Sequence, residues 1–352
     1  MSRPLNVLVL GVGGNVSQGI LKALRLAKPR CRIVGACIHP LSMGLYTVDR
    51  AYVSPAAHDP AFGEWLLRTC VDEGVDAVLS GVEPVLEVLS LQASDLRART
   101  GAVAIVSPPD VLAIGSDKLA TCEWLRDRGF AYPRFADAAD SDAVAALGAE
   151  RGYPLIAKPR IGKGSAGVSV ASDSRDLDRF VGRSGYVIEE QLGDESVEFT
   201  VGCFSDRTGR VRGAIAMRRE LLHGTTSRAV AGEFPEVRAE AVRIVEALKP
   251  VGPCNVQLRV HAGRPTCFEI NVRFSGTTPM RARFGFNEVE AALRHFVLEE
   301  EFDLPHVTEG IAVRYWNELY VDPRAKATLE DLRPLDGPPA HASFVEDYGP
   351  KR

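Results

Sequence analysis

The hydrophobic pattern of this chain changes beyond Ser107-Pro108-Pro109, giving way to dominant strands from Pro154, and that change limits the folds open to it. Before it, short apolar runs alternate with stretches of helical period. Asn6–Leu10, Arg32–Ile38, Asp76–Leu79 and Ala102–Val106 read as buried strands, while Val16, Ile20, Ala23, Leu24 and Ala27 make the apolar stripe of a helix. Further helices are predicted around Phe62–Asp72 and Pro84–Leu96. Strands alternating with helices imply a parallel, doubly wound α/β sheet, and Ser107-Pro108-Pro109 punctuates its end. Ser116 is expected to cap a helix running to Arg128, with Gly129 at its stop. From Pro154 onward strands dominate: Leu155–Lys158, Gly167–Ala171, Tyr186–Glu190, Val197–Phe204, Arg210–Arg219, Cys254–Val260 and Thr266–Val272. With helices near Leu177–Val181 and Glu236–Lys249, this is an α+β unit on antiparallel strands. A length of 352 residues leaves room for two or three packed units of about 100–150 residues.

Composition removes several function classes. Lys and Arg number 42 against 46 Asp and Glu, a net charge of −4, so no global field draws the chain to nucleic acid or anionic lipid. No apolar run approaches the roughly 20 residues of a membrane helix. The short apolar start superficially matches a signal peptide, but glycines and polar residues stand where a cleavage site belongs. The seven cysteines (Cys31, Cys37, Cys70, Cys122, Cys203, Cys254, Cys267) are scattered without a C-x-x-C pair. Neither a disulfide framework nor a zinc ribbon is suggested, and the reducing cytoplasm is the expected compartment.

Four features carry chemistry. Gly11-Val12-Gly13-Gly14 after the first strand is an incomplete dinucleotide fingerprint: Val16 stands at the third glycine position, and no acid ends the second strand. A steric turn is the favoured reading. Glu83 and Glu87 follow the third strand, where a doubly wound sheet presents ligands, although acids also suit a helix start. The run Ile156–Val168 joins two strands, so it is no Walker loop. Its Gly162, Gly164, Gly167, Ser165 and Ala166 let backbone N–H groups converge on phosphate oxygens, with Lys158, Arg160 and Lys163 supplying positive charge. Finally, Cys254–Val260 and Cys267–Arg273 form a hairpin. Alternation puts Asn255, Gln257 and Arg259 on one face, and Glu269, Asn271 and Arg273 on the polar face of the return strand, with Phe268, Ile270 and Val272 toward the core. Gln257, Glu269 and Asn271 offer one carboxylate and two amide oxygens. That set suits hard Mg²⁺ or Mn²⁺ if a triphosphate completes the shell.

Taken together, Ser116-Asp117-Lys118, the I-A-K-P-R-I-G-K-G-S-A-G-V loop, V-I-E-E-Q-L at Val187–Leu192, N-V-Q at Asn255–Gln257 and F-E-I-N-V-R-F-S-G-T at Phe268–Thr277 resemble the ATP-grasp superfamily. The resemblance is strongest to its branch like the carbamoyl-phosphate synthetase large subunit, and covers Gly11 to about Phe286. It implies a pre-ATP-grasp domain (1–108), a linker helix and lid (109–190), a catalytic subdomain (191–310) and an extension packed on the body (311–352). By resemblance, Lys118 and Lys158 contact nucleotide phosphates beneath the Gly162–Gly167 loop. Glu189, with its neighbour Glu190, and the Leu192 backbone border the adenine, and Glu198 holds the ribose. By the same resemblance Gln257, Glu269 and Asn271 would ligate two Mg²⁺, with Glu269 bridging, and Arg273 would steady the transferring phosphoryl group or the acyl phosphate. Many members carry an acid where Gln257 stands, although the carbamoyl-phosphate branch tolerates Gln there, and this chain has one module where the synthetase has two.

The implied reaction is ATP-dependent carboxylate–amine ligation through an acyl phosphate, on amino acids or small peptides. A homodimer stays open; no nucleic acid or membrane partner is expected. His223–Arg228 and Ser275–Thr278 are expected to line the acceptor site. Arg218 or Arg228 would pair a substrate carboxylate, Arg219 would be solvated or at that site, and His223 is a candidate base. Two other classes remain: a nucleotide-binding regulator without turnover, and a dinucleotide-dependent oxidoreductase using Gly11–Gly14.

Overall fold

The computed structural model describes residues 3–162, 164, 166–193, 197–301 and 303–337. The N-terminal part runs β1 (Leu5–Leu10), α1 (Asn15–Leu24), β2 (Cys31–Cys37), β3 (Arg50–Val53), α2 (Phe62–Asp72), β4 (Ala77–Ser80), α3 (Glu83–Thr100) and β5 (Val103–Ala104). The middle holds α4 (Pro109–Ser116), α5 (Lys118–Asp127), β6 (Phe135–Asp137), α6 (Ser141–Arg151), β7 (Leu155–Pro159), β8 (Ser169–Ala171), α7 (Ser174–Asp178) and β9 (Tyr186–Glu190). The remainder is β10 (Glu198–Ser205), β11 (Val211–Leu222), β12 (Thr225–Ala231), α8 (Pro235–Leu248), β13 (Gly252–His261), β14 (Arg264–Asn271), α9 (Thr278–Arg283), α10 (Glu288–Phe296), β15 (Gly310–Val313), α11 (Pro323–Glu330) and β16 (Leu335–Asp336).

These strands make three sheets. The first, β16-β3-β2-β1-β4-β5, is parallel except where β16 joins β3 antiparallel. Its β1 residues Leu8 and Leu10 pack with α2 and α3, and Val7 and Val9 with α1, so both faces are covered as a parallel sheet requires. The small antiparallel sheet β6-β9-β7-β8 carries its own core from Ala136, Val144, Leu147, Leu155 and Ile188. The third, β14-β13-β10-β11-β12-β15, is antiparallel throughout. One of its faces packs on α8 through Val201, Ala214, Val256 and Ile244. The other packs Phe204, Ile215 and Met217 into a core shared with α1, Phe274 and Phe286 of the same chain.

Several expectations are corrected. Ser116 closes α4, its Oγ donating to Leu112 O at 2.9 Å, and Asp117 caps α5 by accepting from Leu119 N. Both residue types cap well, so sequence could not separate them. Helix α4, strand β3 and helix α6 were not foreseen, and Ala102–Val106 contributes only Val103–Ala104 to its sheet. The polar run His223–Arg228 is the turn and start of β12. Gly11 sits at φ +71°, and a Cβ there would lie 2.3 Å from Val82 Cγ2, so the first glycine of the turn has a steric reason. No described helix is long and apolar enough to cross a membrane.

Where the third sheet's second face turns from apolar to polar, Arg281 and Glu288 form an ion pair at 3.2 Å, with side chains 1% and 0% exposed. Arg281 also donates to Thr200 Oγ1 at 3.3 Å and to Asn255 Oδ1, and Thr278 donates to Glu288. Removing one partner strands a buried charge. Glu288→Ala should cost about 3–5 kcal/mol in urea unfolding, and the double change Arg281→Met with Glu288→Leu should cost less than that single change.

The helix α5 start is held by charge. Arg160 Nη2 lies 2.5 Å from Asp117 Oδ2, and Lys118 N–H donates to Arg160 O at 3.0 Å. Burial opposes the Asp117 charge, but the Arg160 and Leu119 N–H hydrogen bonds hold its carboxyl below the usual range. That stability is therefore present above the unfolded carboxyl pKa of about 3.9 and lost as pH falls through the lower folded value. Asn caps as well as Asp, so Asp117→Asn isolates the charge. The variant should be less stable by up to about 1 kcal/mol at pH 7, and the gap should close in unfolding curves taken progressively below pH 4.

Candidate functional site

Strand parity assembles a polar row on the third sheet. Glu198 lies beside Arg219 on β11 and Arg259 on β13, and Gln257 lies beside Glu269 on β14. The neighbouring rung pairs Asn255 with Asn271. The Glu198 carboxylate, 5% exposed, meets Arg219 at 2.5 Å and Arg259 at 2.8 Å. Arg219 Nη2 also donates to Gln257 Oε1 at 2.6 Å. Gln257 Nε2 and Asn271 Nδ2 then both donate to Glu269 Oε1, at 3.2 and 2.9 Å. A continuous hydrogen-bonded chain thus runs Glu198, Arg219, Gln257, Glu269, Asn271.

Cations gather on Glu269. Burial would raise its carboxyl pKa, but Lys118, the Asn271 amide, Lys158 and Arg219 together hold it below the ordinary glutamate value. Lys158, on β7 of the small sheet, is buried and pairs with Glu189 of β9 at 2.7 Å. Burial works against both charges. On Lys158 the Glu189 carboxylate outweighs it and raises the ammonium pKa; on Glu189 burial outweighs the lysine and raises the carboxyl. Lys118 Nζ donates to Gly162 O at 3.2 Å, which ties the α5 start to the glycine loop.

The other expected residues scatter in instructive ways. Glu190 points away from Glu189: its Oε1 accepts from Arg134 N at 2.8 Å and its carboxylate faces Arg151. Leu192 is buried, and its carbonyl accepts from Arg259 Nη1 at 3.2 Å. Arg160 is neutralised by Asp117 and Asp137, so it does not offer free charge to a phosphate. Gly162, Gly164 and Gly167 belong to the described loop, whereas Lys163 and Ser165 lie outside the described residues. Arg218 is exposed on the parity of Ala214 and Ala216, the α8 face, opposite to the polar row. Arg228 is 65% exposed and pairs with Glu220 at 2.7 Å. His223 holds the β11–β12 turn at φ +50°. Arg273 leaves the row altogether. Strand β14 ends at Asn271, and the Arg273 guanidinium pairs with Glu83 at 2.7 Å, in a cleft that Glu87 and Ser116 also line.

Three members of the site escaped sequence reasoning. Arg219, expected at the surface or in an acceptor loop, is 10% exposed at the centre of the row. Arg259 was placed on the polar face without a role. Phe268 was assigned to the core, but it is the extra residue of a β-bulge: Gln257 pairs with Glu269 and Leu258 with Cys267. Cys267 takes the core position, and the Phe268 ring turns to the site, with Lys158 Nζ at 5.7 Å and Arg259 Cζ at 5.5 Å from its centroid.

Among the described residues no three His, Cys, Asp or Glu side chains cluster as a metal cage. The donor set therefore fits a hard cation only in part: Glu269 and Asn271 supply oxygens, phosphate oxygens must complete the shell, and the Gln257 oxygen is already engaged by Arg219.

Residues 186–319 match the family described as ATP-grasp in the biosynthetic pathway with Ter operon, and residues 7–104 match the PylC-like N-terminal domain. The fold is the ATP-grasp architecture. The chain carries an ATP-grasp domain behind a PylC-like N-terminal domain and is homologous to the large chain of carbamoyl phosphate synthase. It is 25% identical over 307 residues to that protein of Ralstonia nicotianae, across 78% of this chain but 27% of the relative. The chain thus spans about a quarter of the length of the curated relatives it matches. Among solved structures, N5-carboxyaminoimidazole synthetase from Staphylococcus aureus complexed with ADP superposes with a TM-score of 0.68 at 16% identity, covering 89% of this chain and 81% of that one. L-amino acid ligase from Bacillus licheniformis gives 0.62 at 19% identity, covering 84% and 74%.

The glycine loop also touches the β11–β12 turn. Gly224 sits at φ +69°, and a Cβ there would fall 2.0 Å from Gly164 O, so backbone meets backbone with no room for a side chain. Gly224→Ala should displace the loop from the turn. Limited proteolysis should then cut near Gly164 severalfold faster than in the parent chain, with the unfolding midpoint little changed.

Proposed function

We propose that this chain is an ATP- and Mg²⁺-dependent carboxylate–amine ligase acting on amino acids or small peptides. The observation that carries the reading is Glu269, a carboxylate held ionised by Lys118, Lys158 and Arg219 and flanked by two amides, between the small sheet and the third sheet. Such a site offers a triphosphate both direct cations and an oxygen set for its metal. The ADP-bound synthetase and the L-amino acid ligase of the same fold support it by analogy.

Bound Mg²⁺-nucleotide would supply the phosphoryl group that turns a carboxylate oxygen into a good leaving group for an amine to displace. The chain's own work is positioning and charge neutralisation. Lys158, fixed by Glu189, and Lys118, fixed at the α5 start, would hold phosphate oxygens beneath Gly162–Gly167. Glu198 would take ribose hydroxyls on the lone pairs its arginines leave free, and the Leu192 backbone would border the base. Arg273, oriented by Glu83, would steady the group in transfer. The acceptor would lie beside Ser275–Thr278, where Arg314 donates to Asn15 Oδ1 at 3.1 Å and to Gly276 O at 2.5 Å. Arg314 has no carboxylate partner among the described residues, and burial lowers its pKa, so a substrate carboxylate would suit it. That role replaces the one expected of Arg218 or Arg228.

The test is ADP release, with product mass, over a matrix of amino acids with ATP and Mg²⁺. One pair should release ADP and give a product one water lighter than the sum of its parts. Glu269→Ala should abolish release, and Lys158→Ala should raise the nucleotide requirement by roughly tenfold or more, as loss of a charged hydrogen bond does. Thermal stabilisation by ATP without ADP release from any pair would favour a regulatory nucleotide-binding role instead. Tight nicotinamide-cofactor binding without ATP binding would revive the glycine turn as the ligand site.

A further inference from the structure

We infer that Arg219 takes the place of one divalent cation, so that the chain binds a single metal ion with its nucleotide. The inference rests on the ATP reading above. The two-ion arrangement that the resemblance implies would draw one oxygen from Gln257 and one from Asn271, on either side of Glu269. A glutamine has a single side-chain oxygen, and here that oxygen accepts from Arg219 Nη2 at 2.6 Å. A glutamate at this position would keep a second oxygen for metal; the amide does not.

The guanidinium is not a loose surface group that a metal could push aside. Its Nε and Nη2 donate to Glu198 Oε1 at 2.9 and 2.5 Å, and its Nη1 reaches Thr226 Oγ1 at 3.4 Å. Thr226 and Glu198 are themselves buried, and the Arg219 side chain is 10% exposed. It is therefore anchored on β10, β12 and β13 at once. Gln257 alone separates it from Glu269, through the 3.2 Å bond from Nε2 to Oε1. A metal ion on the Gln257 side of Glu269 would sit against this fixed positive charge and would have to share its amide oxygen with the guanidinium.

The charges around the site lead to the same place. Lys118, Lys158, Arg219 and Arg259 outnumber Glu189, Glu198 and Glu269, so the site favours polyphosphate over free cations. A guanidinium presents a planar fork of donors that matches phosphate oxygens, which a hydrated ion would otherwise bridge. On the other side of Glu269, Asn271 donates to Oε1 through its Nδ2 at 2.9 Å and would offer its amide oxygen to the one metal ion.

The test counts metal. Mn²⁺, visible by electron paramagnetic resonance, is brought to equilibrium by dialysis with a non-hydrolysable ATP analogue on both sides of the membrane. Protein-bound Mn²⁺ and bound analogue are measured separately. The parent chain should bind one Mn²⁺ per bound analogue, and two would overturn the inference. Arg219→Met, which keeps the aliphatic packing, should bind the analogue roughly tenfold more weakly at low Mn²⁺. At high Mn²⁺ it should recover affinity as a second ion enters; a count still at one would also overturn the inference. Arg219→Lys keeps a cation and should stay at one ion, which guards against a Met variant that does not fold. If the parent chain binds no analogue at all, the ATP reading itself falls and the inference with it. Analogue bound with two ions removes the inference alone.

Discussion

An antiparallel sheet can bury both faces only as far as other elements cover it. In the third sheet that cover ends partway along the strands. Phe204, Ile215 and Met217 face the shared apolar core, and a few residues along the same strands the same face carries Glu198, Arg219 and Gln257. Between the two zones lies the Arg281–Glu288 pair with Thr200 and Asn255. A buried ion pair of this kind adds little net stability against apolar replacement, but it ties the α9 and α10 helices to the strands that carry the site. The polar row then inherits its geometry from strand register, which fixes its side chains more tightly than loops would.

What was readable in the chain was local. The switch of hydrophobic period separates the parallel sheet from the antiparallel ones because each period is written within a dozen residues. The hairpin of β13 and β14 was legible for the same reason: Gln257, Glu269 and Asn271 lie within one turn of each other along the chain. Arg219 and Arg259 were not, because their partner Glu198 is remote in sequence and their meeting depends on the β10–β11 and β10–β13 registers. Phe268 failed on a different ground. Alternation assumes an unbroken pleat, and one inserted residue moved an aromatic ring from core to site. Ser116 and Asp117 were confused because capping chemistry does not discriminate between them.

The lysines show how much of a charge's role depends on its partner. Lys158 and Arg160 look alike as flanking cations of a glycine loop, and the resemblance sets Lys118 beside them at the phosphates. In the fold, Arg160 is neutralised by two aspartates and anchors a helix start, Lys158 is held by a buried glutamate, and Lys118 reaches the loop carbonyl at Gly162. The loop is thereby fastened at its root by Asp117–Arg160 and met at its crown by the Gly224 turn.

The last two described strands part company. β15 lies along β12 at the rim of the third sheet, and β16 lies along β3 at the rim of the first. The stretch from Gly310 to Asp336 thus seals the open backbone of two separate sheets. Shortening the protein before Gly310 would bare both rims together, and each would present unpaired amides and carbonyls ready to recruit strands from other molecules. Self-association through mismatched edges, rather than simple loss of a surface segment, is the expected fate of such a fragment, and the junction near residue 309 is a poor place to divide this protein.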